Sequence, residues 1–212
     1  MKDIVIVGAG GFAREVAWLI EEINKYTSKW NLLGFIDDNE ELKGKKLNGY
    51  EVLGNIDYLN SSNIIADVVI AIGNGKIREN IVKKIKNRQY ATLIHPSISI
   101  SDTNVIGEGC IICASSILTV NIVIKNHVII NLDCTIGHDV YLNDFVTLMP
   151  SVNVSGNVKI DKYTTIGTGT NIIQGLSIGE NVMIGAGTVM IKNIDSNCTI
   201  VGNPGKLIVK EK

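Results

Sequence analysis

Hydrophobic and polar positions follow two different rules along this chain. In the first ninety or so residues, short runs of aliphatics alternate with stretches whose apolar residues recur at three and four. Residues 3–7, 32–36, 50–53 and 68–72 have the pattern of strands, and residues 12–23 and 76–85 the spacing of amphipathic helices. The cluster Gly8-Ala9-Gly10-Gly11 separates the first strand from the first helix, and Asp37-Asp38 ends the second strand. This βαβ alternation predicts a small Rossmann-like parallel sheet with helices on its faces over residues 1–94.

From His95 the period becomes six. Residues 95–190 divide into sixteen hexads, HPSISI to GAGTVM, and every one ends in Ile, Leu, Val or Met. The position two before each end, Ile98 through Thr188, is small or β-branched in nearly all of them, with Asn104 and Leu176 departing. A spacing of two is strand parity, so each hexad is expected to be a short strand with both residues inward, followed by a corner where Gly, Asn and Asp supply unusual backbone angles. Three such units close most simply as a triangular prism. Residues eighteen apart should then stack at roughly 4.8 Å, the sixteen hexads making about five coils of a second domain that, with a short tail, covers residues 95–212.

Composition supports this division and excludes several functions. Ile and Val supply 55 of 212 residues against 11 aromatics, so the interior is filled by β-branched side chains. Net charge is −1, leaving no basic field for nucleic acid or an anionic membrane. No apolar run is long enough to span a bilayer, and the chain passes from Met1 straight into a strand with no cleavage site, which points to a cytoplasmic protein. Four cysteines make no disulfide framework. Cys110 and Cys113 have redox spacing, but Cys110 and Cys134 fall on inward hexad positions and no second pair completes a zinc site, so no metal is expected.

His138 is the strongest candidate for chemistry. It follows Gly137 at a corner, points outward and precedes Asp139, and an exposed imidazole beside a carboxylate is a general base with a fixable tautomer. Gly156 lies eighteen residues on, so the prism stacks it on His138, leaving open space and a backbone N–H that could stabilise an oxyanion; the plain alternative is a solvated corner histidine. Gly8-x-Gly10-x-x-Ala13 fits a relaxed dinucleotide fingerprint, with Asp37 and Asp38 as candidate ribose acids, or else is simply a tight turn. Ninety residues leave little room for a full NAD site, so NAD is not expected. Gly73 and Asn74, with Arg78 a turn later, end a buried strand where α/β ligands bind; a helix cap and a surface arginine explain them equally well. Lys206 in the closing segment VGNPGK could meet a phosphate or only solvent.

A small βαβ domain carrying GAGGFAREV and AIGNGKIRE, joined through IHPS to hexads containing NLDCTIGHD and closing in VGNPGK, resembles the hexapeptide-repeat sugar acetyltransferases. That family includes PglD, perosamine N-acetyltransferase and NeuD-type sialic acid O-acetyltransferases. The resemblance implies a left-handed parallel β-helix assembled as a homotrimer, with acetyl-CoA as co-substrate and a nucleotide-linked amino sugar, a cell-surface glycan precursor, as acceptor. It makes His138 the general base with Asp139 beside it, Asn131 the asparagine near the reacting group, and Gly156 the donor to the thioester oxygen. Thr168 and Ala186 would line the acetyl-CoA groove between subunits. Gly10, Gly11 and Phe12 match the phosphate turn, and Asp37, Asp38, Gly73 and Asn74 the nucleotide pocket. The implied reaction is direct attack of the amine with no covalent enzyme intermediate. Phe12 and Thr147 stand where PglD-like members carry histidines, both expected on the acceptor side. A sialic acid O-acetyltransferase and a non-catalytic nucleotide-binding scaffold are the other readings.

Overall fold

The computed structural model describes residues 1–210. It opens on β1 (Lys2–Val7), α1 (Gly11–Thr27) and β2 (Trp30–Ile36), passes a short turn of helix at Glu40–Leu42, and continues through β3 (Lys46–Leu47), β4 (Tyr50–Gly54), α2 (Ile56–Ser61), β5 (Asp67–Ile70) and α3 (Gly75–Lys84). The sheet order is β3-β4-β2-β1-β5, parallel except for the β3–β4 hairpin. Strand parity sorts the two faces. Ile4 and Ile6 pack toward α1, while Val5 and Val7 pack toward α2 and α3. The six-residue helix α2 and the hairpin strand β3 had no clear period in the sequence.

The hexads form three parallel stacks with the expected offset of eighteen: Val123 pairs with Tyr141, Ile129 with Thr147, and Thr135 with Asn153. Together they make a left-handed parallel β-helix. Its interior is the double column of inward residues, among them Cys110, Ile112, Ile122, Ile124, Val152 and Val154, each no more than 2 % exposed. Every sixth residue from Gly109 to Gly187 has positive φ. Glycine, asparagine and aspartate hold many of these corners, but so do His127, Phe145 and Tyr163, where the left-handed conformation costs an ordinary residue roughly 1–2 kcal/mol.

Both ends of the solenoid differ from the hexad pattern. Its first strand is β6 (Leu93–Ile94), which pairs with Ile111–Ile112, whereas the next hexad, residues 95–100, forms no strand. There Ile98 and Ile100 are partly buried and pack against the end of the core without a pairing partner beneath them. The last coil is two residues short: Ile178 bridges to Ile194 and Ile184 pairs with Ile200. The closing segment then turns back as an antiparallel hairpin, with Lys206 paired to Val201.

The two parts share packing. On most hexads the residue before the last faces outward, but Ile111 and Ile129 at this position are buried in one cluster with Ala13, Val16 and Ile20 of α1. The first helix thus lies between its own sheet and one face of the prism. The N-terminus of α3 meets the neighbouring corner so closely that a Cβ on Gly75 would stand 2.4 Å from the Phe145 carbonyl oxygen.

Candidate active site

His138 projects from the corner after Thr135–Ile136, its side chain half exposed. Its Nδ1 lies 2.7 Å from Oδ2 of Asp139, a residue held at positive φ. A carboxylate accepting the Nδ1 proton leaves Nε2 with its lone pair free, as a general base requires. Gly156 stacks beneath the ring, but the space there is not open: a Cβ on Gly156 would lie 2.5 Å from both Cε1 and Nε2, so the imidazole itself occupies it. The Gly156 N–H donates to no acceptor among the described residues. One residue pair therefore supplies a base nitrogen and an N–H without a protein acceptor, the two groups needed to take a proton and to hold a developing oxyanion.

Asn131, Thr168 and Ala186 occupy a different corner, across the face formed by Ile117–Leu118, Thr135–Ile136 and Asn153–Val154. Asn131 is 7 % exposed, and its Oδ1 accepts from the Leu132 N–H. Thr168 and Ala186 are exposed, and their backbone N–H groups donate to no protein acceptor among the described residues. Glycines keep this second corner low, since a Cβ on Gly167 would reach 2.6 Å from the Ala186 nitrogen. Exposed amides over a shallow glycine-lined step suit the carbonyl-rich arm of a coenzyme. One chain does not bring this corner to His138.

A cavity of about 310 Å³ lies at the carboxyl edge of the N-terminal sheet, lined by Gly8, Asp37 and Asp38 together with Ile56, Ile72, Ile77, Asn80, Ile81 and Lys84. Gly8 has φ +104°, and a Cβ there would meet Ala71 and Ile72, so glycine is required where the turn crosses the β5–α3 connection. Asp37 accepts from the Ala9 N–H at 2.8 Å and from the Asn39 N–H, bracing the glycine turn while also lining the cavity. One Asp38 oxygen accepts from the Ile56 N–H. Gly10, Gly11 and Phe12 begin α1 outside the cavity lining. No side chain caps this helix, and the Phe12 ring packs toward the core.

Arg78 is not a ligand-binding or surface arginine. It is 1 % exposed and donates to six neutral oxygens: His127, Ile72, Gly73, Phe145 and Val146 carbonyls and the Thr147 hydroxyl. Burial pushes its pKa down to about 9, so it remains charged at neutral pH. Asn74 caps α3 by accepting from the Ile77 N–H, and Gly73 spends its carbonyl on Arg78 and Thr147. Thr147 is buried in this contact, not on the acceptor side expected from the resemblance, and does not line the cavity. A stack of rings eighteen residues apart accompanies it: His127 lies on Phe145 at 5.1 Å and Phe145 on Tyr163 at 5.9 Å, with the Tyr163 hydroxyl donating to Glu79. The interval 127–145–163 was readable in the sequence, but only against the coil period. Burial, and then the Arg78 charge, push the His127 pKa down to about 4.

Cys110, Cys113 and Cys134 are buried and their pKa values are pushed up by desolvation, to about 12, 12 and 11. Among the described residues no group of three or more His, Cys, Asp or Glu side chains could hold a metal ion, and no helix is long and apolar enough to cross a membrane.

Residues 3–85 match the family described as the PglD N-terminal domain. The chain is 32 % identical over 154 residues to GDP-perosamine N-acetyltransferase of Escherichia coli O157:H7, covering 71 % of this chain and 69 % of that protein. It superimposes on the acetyltransferase domain of PglB from Neisseria gonorrhoeae FA1090, solved with acetyl coenzyme A, with a TM-score of 0.87 and 31 % identity over 98 % of this chain and 99 % of that one. PerB from Caulobacter crescentus, solved with CoA and GDP-perosamine, has the same fold at TM-score 0.90 and 23 % identity, covering 99 % and 98 % of the two chains.

Proposed function

The chain belongs to the hexapeptide-repeat sugar acetyltransferase family, and we propose that it transfers the acetyl group of acetyl-CoA to the amine of a nucleotide-linked amino sugar, with His138 as general base. The observation that carries this reading is the placement of His138: Nδ1 is fixed by Asp139, and the Cε1–Nε2 edge of the ring lies against Gly156, whose N–H has no acceptor among the described residues. An amine must lose a proton as it adds to a thioester. Nε2 accepts that proton while the Gly156 N–H donates to the thioester oxygen, and collapse of the tetrahedral intermediate expels the CoA thiolate. Relatives named as N-acetyltransferases, and neighbours solved with acetyl-CoA or CoA, support this chemistry.

The nucleotide portion of the acceptor is proposed to occupy the cavity between Gly8, Asp38 and Lys84, and CoA the corner bearing Thr168 and Ala186. Because one chain holds His138 and that corner on opposite edges of a face, the reading includes a homotrimer in which neighbouring copies close the groove. Exposed apolar side chains beside that face, Ile117, Val120 and Ile173, support self-association.

The test is release of CoA thiol from acetyl-CoA against UDP-, dTDP- and GDP-linked 4-amino-6-deoxy sugars, with free sialic acid as a separate acceptor. Turnover on an amino-sugar nucleotide is expected. Activity with sialic acid alone would reassign the chain to O-acetylation, and no release with any acceptor would contradict the enzyme reading.

A further inference from the structure

We propose that Arg78 is the positioning residue that fixes the acceptor cavity of the N-terminal domain to the β-helix. Its role as a determinant of acceptor binding rests on the function proposed above; its mechanical role does not.

The guanidinium joins two parts of the molecule through six hydrogen bonds to buried or part-buried oxygens. On one side NH1 holds the carbonyls of Ile72 and Gly73, in the connection between β5 and α3. On the other side NH2 holds Phe145 and Val146, Nε holds His127, and NH1 also reaches Thr147, all in the coil. Thr147 closes the arrangement by donating to Gly73 at 2.7 Å. The connection held in this way forms one wall of the cavity: Ile72 lines it, and it passes so near the glycine turn that a Cβ on Gly8 would meet Ala71 and Ile72. A rigid path therefore runs from the coil corner through Arg78 and Ile72 to the glycine turn.

The choice of side chain points the same way. Among the described residues no carboxylate pairs with Arg78, so a full charge is buried against neutral dipoles, and apolar packing would join the two surfaces at lower cost. What arginine supplies is direction. Its planar fork must satisfy acceptors on both sides at once, which admits one relative placement of the β5–α3 connection and the coil. Lysine, with three donors and no fork, cannot hold both sets.

The test compares wild type with Arg78→Lys and Thr147→Val. The second variant loses one hydroxyl and leaves Arg78 its five carbonyls, so it keeps the test available if Arg78→Lys fails to fold. Hydrogen exchange of the amides of residues 72–77 is measured in each folded protein, with the KM for acetyl-CoA and for the amino-sugar nucleotide that wild type turns over, and calorimetric binding of UDP, dTDP and GDP. Exchange in 72–77 is expected to accelerate in both variants. The acceptor KM should rise about tenfold in Arg78→Lys and less in Thr147→Val, with the acetyl-CoA KM within twofold of wild type. Unchanged exchange in folded variants would overturn the proposal, as would both KM values rising together or a lowered Tm with neither KM altered. If wild type accepts no amino-sugar nucleotide, the functional reading fails by itself, and exchange with nucleoside diphosphate binding still decides the role of Arg78.

Discussion

The imidazole of His138 lies directly on Gly156, where a Cβ would come within 2.5 Å of Nε2. Glycine is thus what lets the ring lie flat against the next coil while Asp139 holds its far side at 2.7 Å. Gly156→Ala should leave the corner folded, because the ring can swing into solvent, but displace Nε2 from the adjacent N–H. A displacement of about 1 Å is expected to lower kcat roughly 10²-fold. Steady-state kinetics with circular dichroism as the folding control checks it, and an unchanged kcat would separate the ring's resting position from catalysis.

His127 predicts a pH dependence of stability. Its folded pKa, about 4, lies below the usual histidine value, so the unfolded chain binds the proton more readily. The stabilising contribution is present above pH 6.5 and is lost as pH falls toward 4, with a span of roughly 3 kcal/mol. The groups facing the ring are Arg78, Asp144, Tyr90 and Phe145. His127→Phe, which keeps a ring in the stack, should flatten the slope of unfolding free energy between pH 6.5 and 4. Equal slopes in the two proteins would contradict it.

Gly75 is where α3 meets the coil at closest approach, and the atoms a methyl would strike are backbone. Gly75→Ala is expected to destabilise by about 1–3 kcal/mol despite the better helix propensity of alanine. Chemical denaturation with the midpoint and slope both measured would show it; a stabilised variant would mean that the contact yields.

The buried cysteines should be chemically silent. Cys110, Cys113 and Cys134 are buried with elevated pKa values, so a thiol reagent at pH 8 should leave these three unmodified in the native protein, and unfolding should open all four thiols, Cys198 included, to labelling. Rapid native labelling of Cys110 would show that the coil opens.

The β-helix was legible because its physics is local: two inward residues and one corner per hexad recur without interruption. The end effects were not, since the unpaired hexad at residues 95–100 and the sixteen-residue last coil depend on what lies above and below them. His138, Asp139 and Gly156 could be assembled by counting eighteen, although the count alone did not show that the ring fills the space over the glycine. Arg78 could not be placed, because nothing in helix spacing says that α3 packs against a coil corner seventy residues away. The same ignorance put Thr147 on the acceptor side, whereas it lies beneath Arg78. Asp37, a candidate ribose acid from its place at a strand end, does line the cavity, and the bond by which it also holds the Ala9 N–H is not readable from that place.

The most direct measurement is turnover of an amino-sugar nucleotide by His138→Ala and His138→Asn, each shown by circular dichroism to be folded and by calorimetry to bind CoA as wild type does. The expected result is a loss of roughly 10²-fold or more in kcat with CoA affinity unchanged. A wild-type rate in either folded variant would contradict the assignment of His138 as the base.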